Sequence, residues 1–240
     1  MKQLATRSSR LSLVVLATML GIASSAQAGP PLICHVISIG NAKSLPWTSN
    51  VGIDPNYDVK NLASDTLAVL TPATPVLVRM ETLRRATLYA RQDPHAAKEL
   101  LTRLYARAKD SDSAGQPDAL AWFDAGYLVE CYKQWIGRNL PHMTDGMRMD
   151  PNPAANLDGY AWVTRSIGLR GSDPEMEFAA ALITLNGPAA AHQDYAQKAI
   201  AGAKSDPLLA RNLSAHFWKT PSPSMADVIS SSPSVKVARQ

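Results

Sequence analysis

Residues 117–137 read PDALAWFDAGYLVECYKQWIG, the longest run of helix-spaced apolar residues in the chain after residue 28. At about 100° per residue, the apolar side chains fall on two roughly opposite faces. One face holds Leu120, Phe123, Tyr127, Leu128, Cys131 and Trp135, and the other holds Trp122, Val129 and Ile136. Pro117 suits a first helical turn, and Gly137 is typical of a helix end. A helix that is apolar on two sides predicts the centre of an all-α fold.

Asp124 interrupts the larger apolar face near its middle. A buried carboxylate has to be ion-paired, hydrogen-bonded or neutralised. We interpret Asp124 as a structural acid that is bonded to a neighbouring helix end or to a tyrosine, because buried polar groups are generally satisfied. The alternative is a role in a ligand site.

The first 28 residues have the features of a signal peptide. They comprise a basic start at Lys2, Arg7 and Arg10, an apolar core at 11–22 and a small-residue cleavage site at 26–28. The apolar core is short for a membrane span, and no later stretch approaches the roughly 20 apolar residues that a spanning helix needs. We therefore expect a soluble, exported protein in the periplasm or outside the cell.

The charge of the chain belongs largely to this leader. Three of the 24 basic residues and none of the 20 acidic residues lie in residues 1–28, so the formal net charge falls from +4 to +1 when the leader is removed. The remaining sequence has no Lys/Arg-rich block and no interleaving of basic and aromatic residues. We expect no nucleic-acid partner.

Cys34 and Cys131 are the only two cysteines. An even cysteine count in a chain that enters an oxidising compartment favours a disulfide, and we predict that these two residues are joined. Two buried free thiols are the alternative. A bond between them would pin the N-terminal part of the chain to the central helix.

The chain divides into an arm, a helical domain and a tail. Residues 29–58 are the least helical part, with a short β-like run at 32–39, and predict an extended arm and loop laid over the helices. The backbone of such an arm has to pair with another strand or chain, or with side chains. Residues 59–219 predict a single α-helical domain. Residues 220–240 are rich in serine and proline and predict a disordered tail.

Proline and glycine divide the domain into helices of about 10 to 20 residues. The predicted helices span residues 59–70, 75–91, 94–109, 117–137, 156–171, 175–185, 189–203 and 208–218. Three aspartate-proline pairs have the form of an N-cap followed by proline at the first helical position: Asp93-Pro94, Asp173-Pro174 and Asp206-Pro207. The last two pairs are 33 residues apart.

This spacing of helix starts resembles that of tetratricopeptide-like helix-hairpin arrays, whose repeats run about 34 residues and end near a proline. Residues 195–207 are most similar to the second helix of such a unit. The resemblance is one of architecture over residues 62–218. It implies stacked antiparallel helical hairpins, an α-solenoid-like fold with a concave binding surface. An irregular helical bundle is the alternative.

Catalytic and cofactor signatures are absent from the sequence, which has no nucleophile elbow, no phosphate-binding glycine loop, no HExxH and no CxxCH. We therefore expect no cofactor. The candidate binding site is an aromatic groove along the central helix, formed by Trp122, Asp124, Tyr127, Glu130 and Trp135. If this groove were catalytic, Asp124 or Glu130 would be the acid or base.

A second cluster combines a histidine with three methionines. These residues are His142, Met143, Met147 and Met149. Thioethers and imidazole suit Cu(I), but methionine also fills gaps beneath loops. We adopt the structural interpretation and expect no metal, with periplasmic copper handling by residues 142–149 as the runner-up.

These observations favour an exported, non-enzymatic helical binding or assembly protein whose partner is a protein or peptide. Helix caps and core patterning are abundant, whereas catalytic motifs are missing. An enzyme with a carboxylate in an aromatic groove is the alternative. A deep pocket that contains a carboxylate with a strongly shifted pKa would favour the enzyme.

Overall fold

A computed structural model describes residues 30–48, 52–134 and 152–217 of the chain. Within these ranges the regular structure is entirely helical, as the sequence predicts, with a short 3₁₀ turn at Val59–Asn61 and eight α-helices. The helices are α1 (Leu62–Val69), α2 (Val76–Ala90), α3 (Pro94–Ser113), α4 (Ala119–Lys133), α5 (Gly159–Arg170), α6 (Pro174–Ile183), α7 (Ala189–Ala203) and α8 (Pro207–Phe217). No helix in these ranges combines the length and apolar character that crossing a membrane requires.

Aspartate side chains begin most of these helices. The three caps that the aspartate-proline pairs predict are confirmed: Asp93 accepts from the His95 N–H at 2.8 Å, Asp173 caps α6, and Asp206 caps α8. Asp118 caps α4 and Asp158 caps α5 in the same way. Each carboxylate satisfies N–H groups that the first turn cannot pair, and such a cap typically contributes about 1 kcal/mol.

Helix α4 is the centre of the fold. It packs against α2, α3, α5 and α6, and 12 of its 15 residues are buried. Its two apolar faces explain these contacts, because each face covers different neighbours. The end of the run that predicted it, Trp135 to Gly137, lies outside the described residues.

Helix α2 is as deeply buried as α4, although the apolar pattern predicted only α4 as a central helix. Thirteen of its 15 residues are buried, including Arg79, Glu81 and Arg84. The apolar residues of α2 account for contacts with α1, α3, α4 and α6. The charged residues need partners inside the protein, and these partners shape the candidate site.

Helices that follow one another in the chain pack as pairs, most extensively α4 with α5 and α6 with α7. Alternate helices also touch, since α2 contacts α4 and α4 contacts α6. A stack of helical hairpins would place alternate helices beside one another in this way. The tetratricopeptide-like resemblance nevertheless remains a prediction.

Residues 30–48, called the arm from here on, lie over the helices. The β-like run 32–39 is not a strand, because the arm begins with a turn and continues without a strand partner. Within the described residues, the one bridge between extended residues joins Thr48 to Gly52. The arm's backbone polar groups are bonded instead by side chains of the helices, for example Ser38 by Asn212 of α8. The sequence left open whether the arm's backbone pairs with another strand or with side chains, and in the structure it pairs with side chains.

The predicted disulfide is absent from the structure, where Cys34 and Cys131 are not bonded to each other. Cys131 is fully buried on α4. Burial raises the pKa of its thiol, against the opposing effect of a hydrogen bond with the Thr87 side chain. The prediction was wrong because a cysteine count does not say how close the two thiols lie, and the arm is held by hydrogen bonds from side chains of the helices instead.

Helices α4 and α5 approach so closely that only glycine fits at their crossing. A Cβ on Gly126 would lie 2.7 Å from the Gly159 carbonyl oxygen and 2.9 Å from the Val163 nitrogen. Both obstacles are backbone atoms, which cannot move aside by rotating a side chain. The crossing therefore specifies glycine at position 126.

We expect Gly126→Ala to destabilise the protein by about 1–3 kcal/mol, because the added methyl overpacks this crossing. Gly168→Ala is the matched control, since a Cβ at Gly168 of α5 meets nothing within 4 Å. It should stabilise the helix by about 0.5–1 kcal/mol. Urea unfolding with comparable m-values measures both changes. A Gly126→Ala protein as stable as the parent would contradict the close approach.

Candidate functional site

Asp124 lies in the interior, where two arginines share it. Its carboxylate is fully buried, and its Oδ2 atom accepts from Arg79 Nη1 at 2.6 Å and from Arg107 Nη2 at 2.8 Å. Burial raises the pKa of Asp124 to about 6, with the two guanidinium groups acting in the opposite direction. The carboxylate is therefore mostly ionised at neutral pH and forms a paired charge of the kind that a buried position requires.

The same two arginines hold the segment that joins α1 to α2. Arg79 Nε donates to the Thr74 carbonyl oxygen at 2.9 Å, and Arg79 Nη2 donates to that of Thr71. Arg107 Nη1 donates to the Leu70 carbonyl oxygen at 2.9 Å. Carbonyl groups at a helix end lack partners within the helix, so these bonds fix the end of α1 against α2 and α3.

Glu81 is the centre of a second buried charge cluster on α2. It accepts from Arg84 Nε and Arg85 Nε, each at 2.7 Å, and from the backbone N–H of Ile37 in the arm at 3.0 Å. The Trp47 ring lies over both guanidinium groups, 4.6 Å from Arg84 and 5.3 Å from Arg85. The arm therefore closes over this cluster and shields it from water.

The sequence placed Asp124 in the interior, but its expected partner, a helix end or a tyrosine, was wrong because Arg79 and Arg107 bond it. The Glu81 cluster was not predicted at all. The i, i+3 and i, i+4 spacing of Glu81 with Arg84 and Arg85 is usual on a solvated helix face, and only the arm makes this face an interior one. One sequence signal was available. Apolar residues surround these charges on all sides of the helix, which is typical of a buried helix.

Trp122 belongs to an aromatic cluster, although its neighbours are not the predicted ones. The Tyr105 and Trp162 rings stack with centroids 4.7 Å apart, and Trp122 meets the edges of both at 6.1 and 5.8 Å. Trp122 is itself buried, and its Nε1 donates to Asp112 Oδ1 at 3.0 Å. Arg165 covers the Trp122 ring at 4.3 Å. The cluster joins α3, α4 and α5.

The other predicted groove residues do not join this cluster. Tyr127 is fully buried and stacks on Phe123 at 5.6 Å, and burial raises the pKa of its hydroxyl well above the usual value. Glu130 accepts from Lys133 Nζ at 2.9 Å and from the Tyr160 backbone N–H at 3.0 Å, so it caps the start of α5. Trp135 lies outside the described residues.

An open groove lies beside the aromatic cluster, along one face of α3. The groove has a volume of about 390 Å³. Its wall on α3 is formed by Pro94, Lys98, Leu101, Thr102 and Tyr105, and the opposite wall by Pro153 and Leu157. This set is called the α3 groove from here on. The α3 residues recur at helical spacing, so a straight segment can contact all of them.

His216 of α8 lies where the arm crosses the end of that helix. Its ring meets the edges of Phe178 at 5.4 Å and of His35 at 5.7 Å, and its Nδ1 lies 2.8 Å from the Asn212 carbonyl oxygen. Its Nε2 is buried without a hydrogen-bond partner among the described residues. Burial lowers the pKa of His216, with the charge of Arg84 acting in the same direction.

The histidine and methionine cluster at 142–149 lies outside the described residues, so copper handling stays a hypothesis. Within the described ranges no three His, Cys, Asp or Glu residues come together in a way that could hold a metal ion.

No protein-family model, curated protein or solved structure matches the chain. The function has to be inferred from the site itself.

We expect Asp124→Ala to destabilise the protein by about 3–5 kcal/mol, because it leaves the Arg79 guanidinium buried without its counter-charge. Urea unfolding of variant and parent gives this difference. The control is Glu99→Ala, which removes an exposed pair with Arg103 at 3.5 Å and should cost less than about 1 kcal/mol. Equal effects in the two variants would show that Asp124 has no structural role.

We expect His216 to make the protein less stable in mild acid. Its pKa in the folded protein is lowered, so its contribution to stability is complete above the unfolded pKa of about 6.5 and is lost as the pH falls toward the folded value. The His216→Phe variant keeps an aromatic ring but cannot take a proton. The parent's unfolding free energy minus the variant's should therefore fall as the pH is lowered from 7.5 to 5.5. Taking this difference cancels the contribution of the carboxylates, which are the same in both proteins. A pH-independent difference would contradict the burial of His216.

Proposed function

We propose that the chain is an exported, non-enzymatic binding protein that takes an apolar peptide segment with an acidic side chain into the α3 groove. The observation that carries this proposal is the exposed ring of Tyr105 at the edge of the groove. It is 38% exposed and is one of three large apolar side chains that stay exposed in the described residues. Exposed aromatic side chains beside a concave surface are typical of binding sites.

Tyr105 is also held in place, which favours binding. Its ring stacks on Trp162 at 4.7 Å with an angle of 14° between the planes, and Trp122 supports both rings from within. A side chain that is already fixed loses little rotamer freedom when a partner binds. Such rigid aromatic anchors contribute much of the affinity at protein interfaces.

The polar residues of the groove suggest the charge of the partner. Lys98 is exposed on the wall, and no carboxylate in the described ranges forms an ion pair with it. An acidic side chain on the partner would complement it. Leu101, Leu157 and the two prolines of the groove provide the apolar contacts.

The candidate carboxylates support binding over catalysis. Asp124 is fully buried and its Oδ2 atom is bonded to two arginines, so a substrate in solvent does not reach it. Glu130 is committed to Lys133 and to the start of α5. Export to the periplasm or beyond rests on the leader at residues 1–28 and is part of the same proposal.

A random peptide library displayed on phage tests this proposal, with the mature protein as the target. We expect the selected peptides to combine apolar residues with Asp or Glu. Lys98→Glu should weaken their binding about tenfold or more, which corresponds to about 1.4 kcal/mol. Thr102→Arg, which fills the groove from an exposed position, should have a similar effect.

Lys109→Glu is the control, because Lys109 is exposed on α3 outside the groove and the substitution changes the net charge equally. It should leave peptide affinity unchanged in titration calorimetry. Peptides that bind the parent, Lys98→Glu and Thr102→Arg proteins equally would overturn the proposal.

A further inference from the structure

The arm is held in the way that a protein holds a peptide ligand, through its backbone. Side chains of α2, of α8 and at the end of α4 bond its amide and carbonyl groups, and we call these side chains the arm seat. They are Glu81, Arg84, Arg85, Tyr89, Gln134 and Asn212. The bonds run from Leu32 N to Gln134 Oε1 (2.8 Å), from Arg84 Nη1 to Ile33 O (3.1 Å), from Ile37 N to Glu81 Oε2 (3.0 Å), from Arg85 Nη1 to Leu45 O (2.6 Å) and from Tyr89 Oη to Pro46 O (2.9 Å).

Asn212 gives the clearest example of this recognition. Its Oδ1 accepts from Ser38 N at 2.7 Å and its Nδ2 donates to Ser38 O at 2.9 Å. One amide side chain thus pairs with both backbone groups of a residue, as a neighbouring strand would. Such bonds do not depend on the side chain of the residue that is bound.

Four apolar side chains of the arm are buried where it lies on the helices, and they make this position selective for a particular segment. Leu32, Ile33, Ile37 and Leu45 are each only 1–2% exposed. A segment that fills the seat must therefore present these apolar residues at the same spacing, as well as an extended backbone. A second copy of this chain meets both requirements.

The seat is costly to leave empty. Without the arm, Glu81 and Arg84 would lose bonds to its backbone, and the buried apolar contacts of the arm would be exposed to water. A state in which the arm of another copy fills the seat keeps every one of these contacts. An exchange between copies therefore preserves what an open monomer would lose.

No covalent bond opposes such an exchange, since Cys34 and Cys131 are not joined. The arm turns back onto its own body through the pairing of Thr48 with Gly52, with hydrogen bonds of 2.8 and 3.2 Å. Gly52 has a φ of 89°, which favours glycine. Breaking this pairing allows the arm to be directed toward another molecule.

We propose that the arm of one copy occupies the arm seat of a second copy, giving an arm-exchanged dimer with two-fold symmetry. Each copy donates its arm and accepts its partner's, so both seats are filled and the assembly is closed. The bonds of the arm seat are the same in the two states and the Thr48–Gly52 pairing is given up on exchange, and protein concentration favours the dimer by mass action. This inference is independent of the α3 groove.

Cysteine cross-linking between two different variants tests the exchange. Ser44 Oγ in the arm lies 2.9 Å from Thr82 Oγ1 on α2, and Thr82 is fully buried beneath it. Ser44→Cys and Thr82→Cys are made in separate chains, each with Cys34→Ser and Cys131→Ala. After the two proteins are mixed and oxidised with glutathione disulfide, we expect a covalent heterodimer whose fraction rises with concentration.

Thr87→Cys replaces Thr82→Cys in the matched control. Thr87 is equally buried on the same helix, but its hydroxyl donates to the Leu83 carbonyl oxygen, and no bond joins it to the arm in the described structure. It should give no heterodimer with Ser44→Cys. One chain that carries both Ser44→Cys and Thr82→Cys should also close within itself when dilute, by forming an intramolecular disulfide.

The parent protein provides a second measurement that needs no substitution. Isotopically heavy and light preparations are mixed, incubated and examined by native mass spectrometry, and we expect dimers of mixed mass. If the double variant closes within itself while the separate variants give no heterodimer and the parent forms no mixed dimer, the arm stays on its own body and the proposal is overturned. Failure of the double variant to close would equally overturn it.

Discussion

The ion pair between Arg79 and Asp124 is the constraint on which the helical body depends. The Arg79 guanidinium bonds Asp124 of α4 with one nitrogen and the segment between α1 and α2 with the other two. Arg107 brings α3 to the same carboxylate. Four parts of the chain thus meet at one buried charge. A buried pair contributes little net stability compared with apolar packing, but breaking it is costly, so it favours one arrangement of helices over its alternatives.

The other buried charges of α2 bind the arm by the same physical rule. Glu81 forms ion pairs with both Arg84 and Arg85, and each of the three side chains also bonds the arm's backbone. The arm needs those side chains because it forms no strand ladder of its own. Each side of the contact therefore supplies what the other lacks. This reciprocity explains how a segment without regular structure is held against the helices.

Periodicity and caps predicted the helices because they are local properties, and α7 has the predicted bounds of 189–203. The same periodicity placed Asp124 in the interior, but it contains no information about Arg79 and Arg107, which are 45 and 17 residues away. The disulfide was wrong because a cysteine count contains no distance. The predicted aromatic groove followed one helix, whereas the real neighbours of Trp122 come from α3 and α5. Contacts between helices depend on how the helices pack, which one helix's pattern does not record.

The arrangement of the tryptophans has a spectroscopic consequence. The indoles of Trp122 and Trp162 lie 5.8 Å apart at 73°, close enough for their transitions to couple and to produce paired circular dichroism bands of opposite sign. Those bands would depend on the relative position of α4 and α5 and not on helix content. Trp47, which lies over two guanidinium groups, emits from a different environment that exists only while the arm covers α2. The fold thus contains two separate optical reporters, one for the helical body and one for the arm.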